Sequence, residues 1–280
     1  MNLLYNFLVL TVVVGVGLIY CSSESDSSDS GSHHKKHHKN RKHHNHKNGR
    51  QPAPPAPVVY RLPVKFDLVG LLMNNGMSTW ADQYRRQLSD LDTNLDEFFN
   101  GMATVAEDDL DFVMRYDLDQ LLVDLSRGLK LFRKNIDQNA DNNGIDRNFS
   151  GRIATGAQLF DELSLYLVQL FASKDMDRRH RRQHSIYRYN LLSKPLIELS
   201  GELGKLMTRD IEPNFQRVLY GFYRSIGQAY NAAIGEQVKR LSGSGGGRDQ
   251  LPEKYRYLIA FNKRWDQSFG QIKQLFKKKY

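Results

Sequence analysis

The sequence predicts an all-α chain: an irregular bundle of about six amphipathic helices, preceded by a signal peptide and a disordered arm. Three observations carry that expectation. No proline occurs from Val64 to Lys194. Within that stretch Trp80, Tyr84, Leu88, Leu91, Leu95 and Phe98 recur at steps of three and four, as do Leu110, Met114, Leu118, Leu121, Leu125, Leu129 and Phe132. That spacing gathers each set on one side of a helix with 3.6 residues per turn. Finally, no segment alternates with the two-residue period of a strand.

The chain divides into residues 1–21, 22–57 and 58–280. Leu3–Tyr20 is almost wholly apolar and leads into Cys21-Ser22-Ser23, the pattern of a secretory signal peptide, although no Lys or Arg precedes it. Cys21 is the single cysteine, so cleavage after Cys21 or Ser23 leaves an extracellular fold without disulfides. Thiolate metal sites and Cys nucleophiles are thereby removed. Ser22–Ser32 is acidic and Ser-rich, His33–Arg50 is a His/Lys/Asn tract, and QPAPPAP is a short polyproline-type spacer. None of these can bury enough apolar surface to offset ordering entropy, so 22–57 reads as a disordered arm. The formal net charge is +9. The arm holds seven Lys or Arg against three acids, which leaves the remainder only mildly basic and argues against a dedicated nucleic-acid binder.

Folding is expected to begin near Val58–Val69. The first long helix is read over Thr79–Asn100, closed by an αL Gly101, and the second over Thr104–Asn135 with Thr104 and Glu107 as a capping box. Ile136–Gly151, dense in Asn, Asp and Gly, reads as a loop. Thr155 with Gln158 then starts a third helix bearing Leu159, Leu163, Tyr166, Leu167 and Leu170. After a basic knot at Arg178–Arg182 comes Ile186–Leu192, and Ser193-Lys194-Pro195 restarts a helix with Leu196, Leu199, Leu203 and Leu206. Pro213 opens the next, striped by Phe215, Leu219, Phe222, Ile226, Tyr230 and Ala233. Gly243–Gly247 is a flexible joint, and Pro252 opens the last helix, with Leu258, Phe261, Trp265, Phe269, Ile272 and Phe276 on one side.

Candidate chemistry sits mostly outside the stripes. His33, His34, His37, His38, His43, His44 and His46 are imidazoles that suit loosely bound Zn, Cu or Ni, with no closed site because the arm does not preorganise them. The alternative is a polar low-complexity arm. Arg178, Arg179, Arg181 and Arg182 support three readings: a solvated inter-helix segment, a polyanion contact, or convertase cleavage after Arg182. Lys277, Lys278 and Lys279 extend the basic character at the end of the last helix, which either docks or swings onto an anionic surface. Asn148-Phe149-Ser150 is a glycosylation sequon expected in an exposed loop. Asn139, Asp141, Asn143 and Gly144 have calcium-loop spacing, but Ser150 stands where a bidentate Glu is needed, so an ordinary loop is expected. No HExxH, GxSxG, P-loop or His/Cys pairing is present, and no cofactor is implied.

The expectation is therefore a secreted, non-enzymatic helical protein acting by binding. Its partners would be an extracellular protein or an anionic glycan or lipid surface, met through basic patches. The alternatives are a carrier of a lipid or other apolar ligand between the helices, and a proprotein cut after Arg182.

Overall fold

A computed structural model describes residues 60–172, 186, 189–243 and 254–277, excluding the side chains of 139–143, 189–190, 241–243 and 254–255. All of these belong to one compact unit, Pro57–Tyr280. The expected signal peptide, arm and His tract lie outside the described residues.

Every element of the described residues is helical. In chain order they are α1 (Leu68–Asn74), α2 (Ser78–Gln83), α3 (Arg85–Thr104), α4 (Glu107–Phe112), a π-helical turn (Val113–Leu118), α5 (Asp119–Asn143), α6 (Arg147–Leu170), α7 (Tyr189–Lys205), α8 (Glu212–Gly243) and α9 (Lys254–Phe276). α5 packs against α6 and α7, α8 against α3 and α9, and α9 against α6. The apolar stripes meet in one continuous core, as their spacing requires. Leu206 is the exception, at 40% exposed. The last helix is docked: Phe261, Trp265, Phe269, Ile272 and Phe276 are all buried.

There are more helical segments than the expected six or so, for local reasons. The first expected helix breaks at Tyr84, whose φ of −109° and ψ of 15° end α2 and begin α3. The second carries the π-helical turn.

Several expected boundaries are corrected. Gly101 lies inside α3 and does not close it; a Cβ there would meet the Ile186 side chain at 3.2 Å, so close approach is its role. Left-handed backbone occurs instead at Gly76 (φ 73°) and Gly144 (φ 60°). Thr104 does not cap α4. Its hydroxyl donates back to the Asn100 carbonyl at 2.9 Å, and α4 starts after Ala106 with Glu107, Asp108 and Asp109 complementing the helix dipole. Nor is Ile136–Gly151 a loop. α5 runs through Asn143, and α6 begins at Arg147 behind Asp146, whose carboxylate accepts from the Asn148 N–H at 2.9 Å. Asn, Asp and Gln within a helix imitate the composition of a loop. Thr155 is thus two turns into α6, donating to the Gly151 carbonyl at 3.1 Å.

Pro195 sits within α7 rather than at its start. Proline has no N–H, so the Leu191 carbonyl one turn earlier loses its helical partner. Asn94 of α3 supplies the replacement, donating through Nδ2 to that oxygen.

Before α1 the chain is non-helical and lies along α3. Asn100, Asp96 and Asp92, spaced one turn apart on α3, accept from the Leu62, Phe66 and Leu68 N–H groups at 2.9, 3.1 and 2.9 Å. These contacts satisfy backbone donors that no strand ladder serves. Burial, followed by the charges of Asp67 and Asp96, pushes the Asp92 carboxyl up to about 7, against the pull of the Leu68 N–H and Lys65. Burial also raises Asp96.

The sign of the pH effect follows. Between the ordinary Asp value near ~4 and the raised value near 7, the folded chain keeps a proton that the unfolded chain releases. The stability contribution of Asp92 is therefore full below ~4 and is lost as pH rises through 7. Asp92→Asn, which keeps an acceptor oxygen, should melt increasingly above wild type as pH rises across that window. A pH-independent difference between the two melting temperatures would refute the assignment.

Candidate functional site

Antiparallel packing of α6 and α9 places Gly156 beside the Phe276 ring and Phe171 6.0 Å from Tyr257. Where α6 begins and α9 ends, the start of α8 also approaches, and the three leave an open groove of about 1100 Å³. Arg152 and Thr155 of α6, Gln216 of α8, and Asp266, Gln267, Gln271 and Gln274 of α9 line it, with Lys277 at its end.

The geometry of Arg152 is set by its neighbours. Its guanidinium lies 5.7 Å from the centre of the Phe149 ring. Nη1 donates to Gln216 Oε1 at 3.0 Å and to the Leu275 carbonyl at 3.4 Å, near the carbonyl end of α9 where a cation is favoured. Nη2 stands 3.9 Å from Glu212 Oε1. Glu212 is itself buried; it accepts from Gln216 Nε2 at 2.8 Å and from the Asp146 N–H at 3.3 Å. Arg152 therefore remains 32% exposed toward the groove with its orientation held from behind. Gln267, Gln271 and Gln274 recur at four and three residues, so the helix presents their amides along one side. Each amide both donates and accepts, and Lys277 is an exposed cation. Such a surface suits an oxygen-rich, negatively charged ligand better than an apolar one.

Of the residues named from sequence, Lys277 reaches this groove. Lys278, Lys279, Arg178, Arg179, Arg181, Arg182 and the seven arm histidines lie outside the described residues. Asn148 is exposed, but on the first turn of α6 rather than in a loop; the sequon's Ser150 is buried, donating to Asp137 at 2.6 Å and accepting from Arg133 at 3.2 Å. The ordinary loop expected over Asn139–Gly144 is instead helical through Asn143. Among the described residues no group of three or more His, Cys, Asp or Glu is placed to hold a metal. No helix of the described residues is long and apolar enough to cross a membrane.

Sequence reasoning missed Arg152 and the glutamine row. The Gln267–Gln271–Gln274 spacing was visible, but the apolar stripe of the same helix dominated the reading. The Arg152–Gln216 contact joins residues 64 apart and has no local signal. No family model matches this chain, and comparison with curated proteins and with solved structures finds no match.

Proposed function

We propose that this chain is a secreted, non-enzymatic helical binding protein whose groove between α6 and α9 engages a polyanion, an anionic glycan being the ligand of choice. The observation that supports this reading is the convergence of Arg152, Lys277 and the glutamine amides on one open groove. Lys278 and Lys279 follow directly in the sequence and add positive charge next to Lys277. Arg and Gln donors can meet sulfate or carboxylate oxygens, and the buried Glu212 holds the Arg152 guanidinium from behind. The groove is wide and exposed, so binding should be strongly salt-dependent.

Heparin affinity tests the proposal. Replacing Lys277, Lys278 and Lys279 with Gln should lower the salt needed for elution, and adding Arg152→Gln should lower it further. Each cation removed should reduce the log–log salt slope by roughly one, the behaviour of charge-neutralising contacts. Unchanged elution of the fourfold variant would refute the groove, and loss of retention only on replacing Arg178, Arg179, Arg181 and Arg182 would move the site to the knot.

A further inference from the structure

Asn148-Phe149-Ser150 is the single Asn-x-Ser/Thr sequence in the chain. The fold separates its two functional side chains. Residues two apart on a helix do not face each other, and here one meets water and the other the interior. Asn148 is exposed on the first turn of α6, with its Nδ2 3.5 Å from Asp146 Oδ2, a marginal contact. Ser150 is buried. Its hydroxyl donates to Asp137 Oδ1 at 2.6 Å and accepts from Arg133 Nε at 3.2 Å.

Phe149, between them, locks this arrangement. It is completely buried and meets the Phe132 ring edge-on at 6.2 Å. Asp146 caps the turn by accepting from the Asn148 N–H at 2.9 Å. Unwinding the turn to expose Ser150 would withdraw Phe149 from the core and break both Ser150 hydrogen bonds. The first turn of α6 therefore does not fray as an unanchored helix end does.

N-glycan transfer uses both ends of the Asn-x-Ser sequence at once. The Asn amide nitrogen is a poor nucleophile, its lone pair being delocalised into the carbonyl, and the transferring enzyme must also hold the hydroxyl two residues on. We propose that Asn148 carries an N-linked glycan, attached while residues 148–150 are not yet helical and never after α6 has docked. The bond formed joins Nδ2 to the anomeric carbon of an oligosaccharide carried on a lipid diphosphate. The bond from that carbon to the diphosphate oxygen breaks, the diphosphate leaves with the electron pair, and Nδ2 gives up one proton. The folded chain accommodates the product, because Asn148 is exposed and its amide gives up only the marginal contact with Asp146. Attachment requires entry into the secretory pathway and so rests on the secreted reading given above. It is independent of what the α6–α9 groove binds.

Synthesis of the full chain in the presence of endoplasmic-reticulum microsomes tests the site. A protease-protected chain is expected to gain the mass of one glycan, removable by peptide-N-glycosidase and lost in Asn148→Gln and in Ser150→Ala. A protected chain without added mass would overturn the glycan alone; an unprotected chain would overturn the secreted reading and the glycan with it. The timing is read separately, on chain made without a glycan, folded, and then given purified transferase and the lipid-diphosphate donor. Wild type should gain no mass. Ile153→Asp, which places a carboxylate at a completely buried position of α6 and keeps that helix from docking, should gain the glycan under the same conditions. Modification of the folded wild-type chain as fast as Ile153→Asp would overturn the requirement for attachment before folding.

Discussion

Leu121→Asp should abolish the cooperative melting of the helical circular dichroism signal. Leu121 is completely buried in α5, the helix that packs on both α6 and α7. Its neighbours in the stripe, Leu118 and Leu125, are equally enclosed. A carboxylate there would have no partner, and such changes cost upward of ~4 kcal/mol. That is a large part of the ~5–15 kcal/mol by which a domain is normally stable. The same helix shows what a buried carboxylate requires. Asp124, one turn on, is also fully buried, but it accepts from the Ser193 hydroxyl and from Gln120 Nε2 at 3.1 Å, with Arg127 3.8 Å away. Melting of Leu121→Asp at the wild-type temperature would mean that the stripe does not face the core.

Trp265→Ala should lower the melting temperature by about 10 °C, following a loss of ~3–5 kcal/mol for removal of a buried indole from a domain of this size. Trp265 is stacked between Tyr230 at 3.8 Å and Phe269 at 3.9 Å, and Phe261 packs at 6.1 Å. The stack joins α8 to α9, so its loss frees the surface that docks the last helix. Trp265→Phe should cost much less. It keeps a stacking ring, and the indole Nε1 has no hydrogen-bond partner among the described residues to lose. Equal melting of the Ala and Phe variants would show that ring stacking contributes little. Differential scanning calorimetry on the full chain reads both.

The apolar stripes were legible because burial follows a period the sequence displays directly. Leu88, Leu91 and Leu95 in α3, or Phe261, Trp265 and Phe269 in α9, could hardly face anything but a core. Boundaries were less legible, since the cues used for them are ambiguous at short range. Thr104 and Glu107 have capping-box spacing, yet the hydroxyl turns back to Asn100 and finishes α3 instead. The Asn- and Asp-rich stretch after Ile136 has the composition of a loop and the backbone of a helix. Pro195 within α7 was unreadable, because the residue that makes it tolerable, Asn94, lies 97 positions from Leu191. Gly101 likewise reads as a cap until Ile186 is placed against it.

The groove was half legible for the same reason. Lys277 stood out as part of a terminal basic run, and the glutamine row carried helical spacing. What joins them to Arg152 is the meeting of α6, α8 and α9, a tertiary event. The ladder of Asp92, Asp96 and Asn100 was likewise visible as a one-turn repeat, but its partners, the Leu62, Phe66 and Leu68 N–H groups, are not announced by composition.

The most direct measurement of the central claim is a heparin-derived tetrasaccharide titrated into the ¹⁵N-labelled chain, followed through the glutamine side-chain amides. The account predicts saturable shifts of the Gln216, Gln267, Gln271 and Gln274 NH₂ signals together with the Arg152 Nε–H, all lost in high salt. Saturable binding that leaves those five side chains unmoved would contradict it.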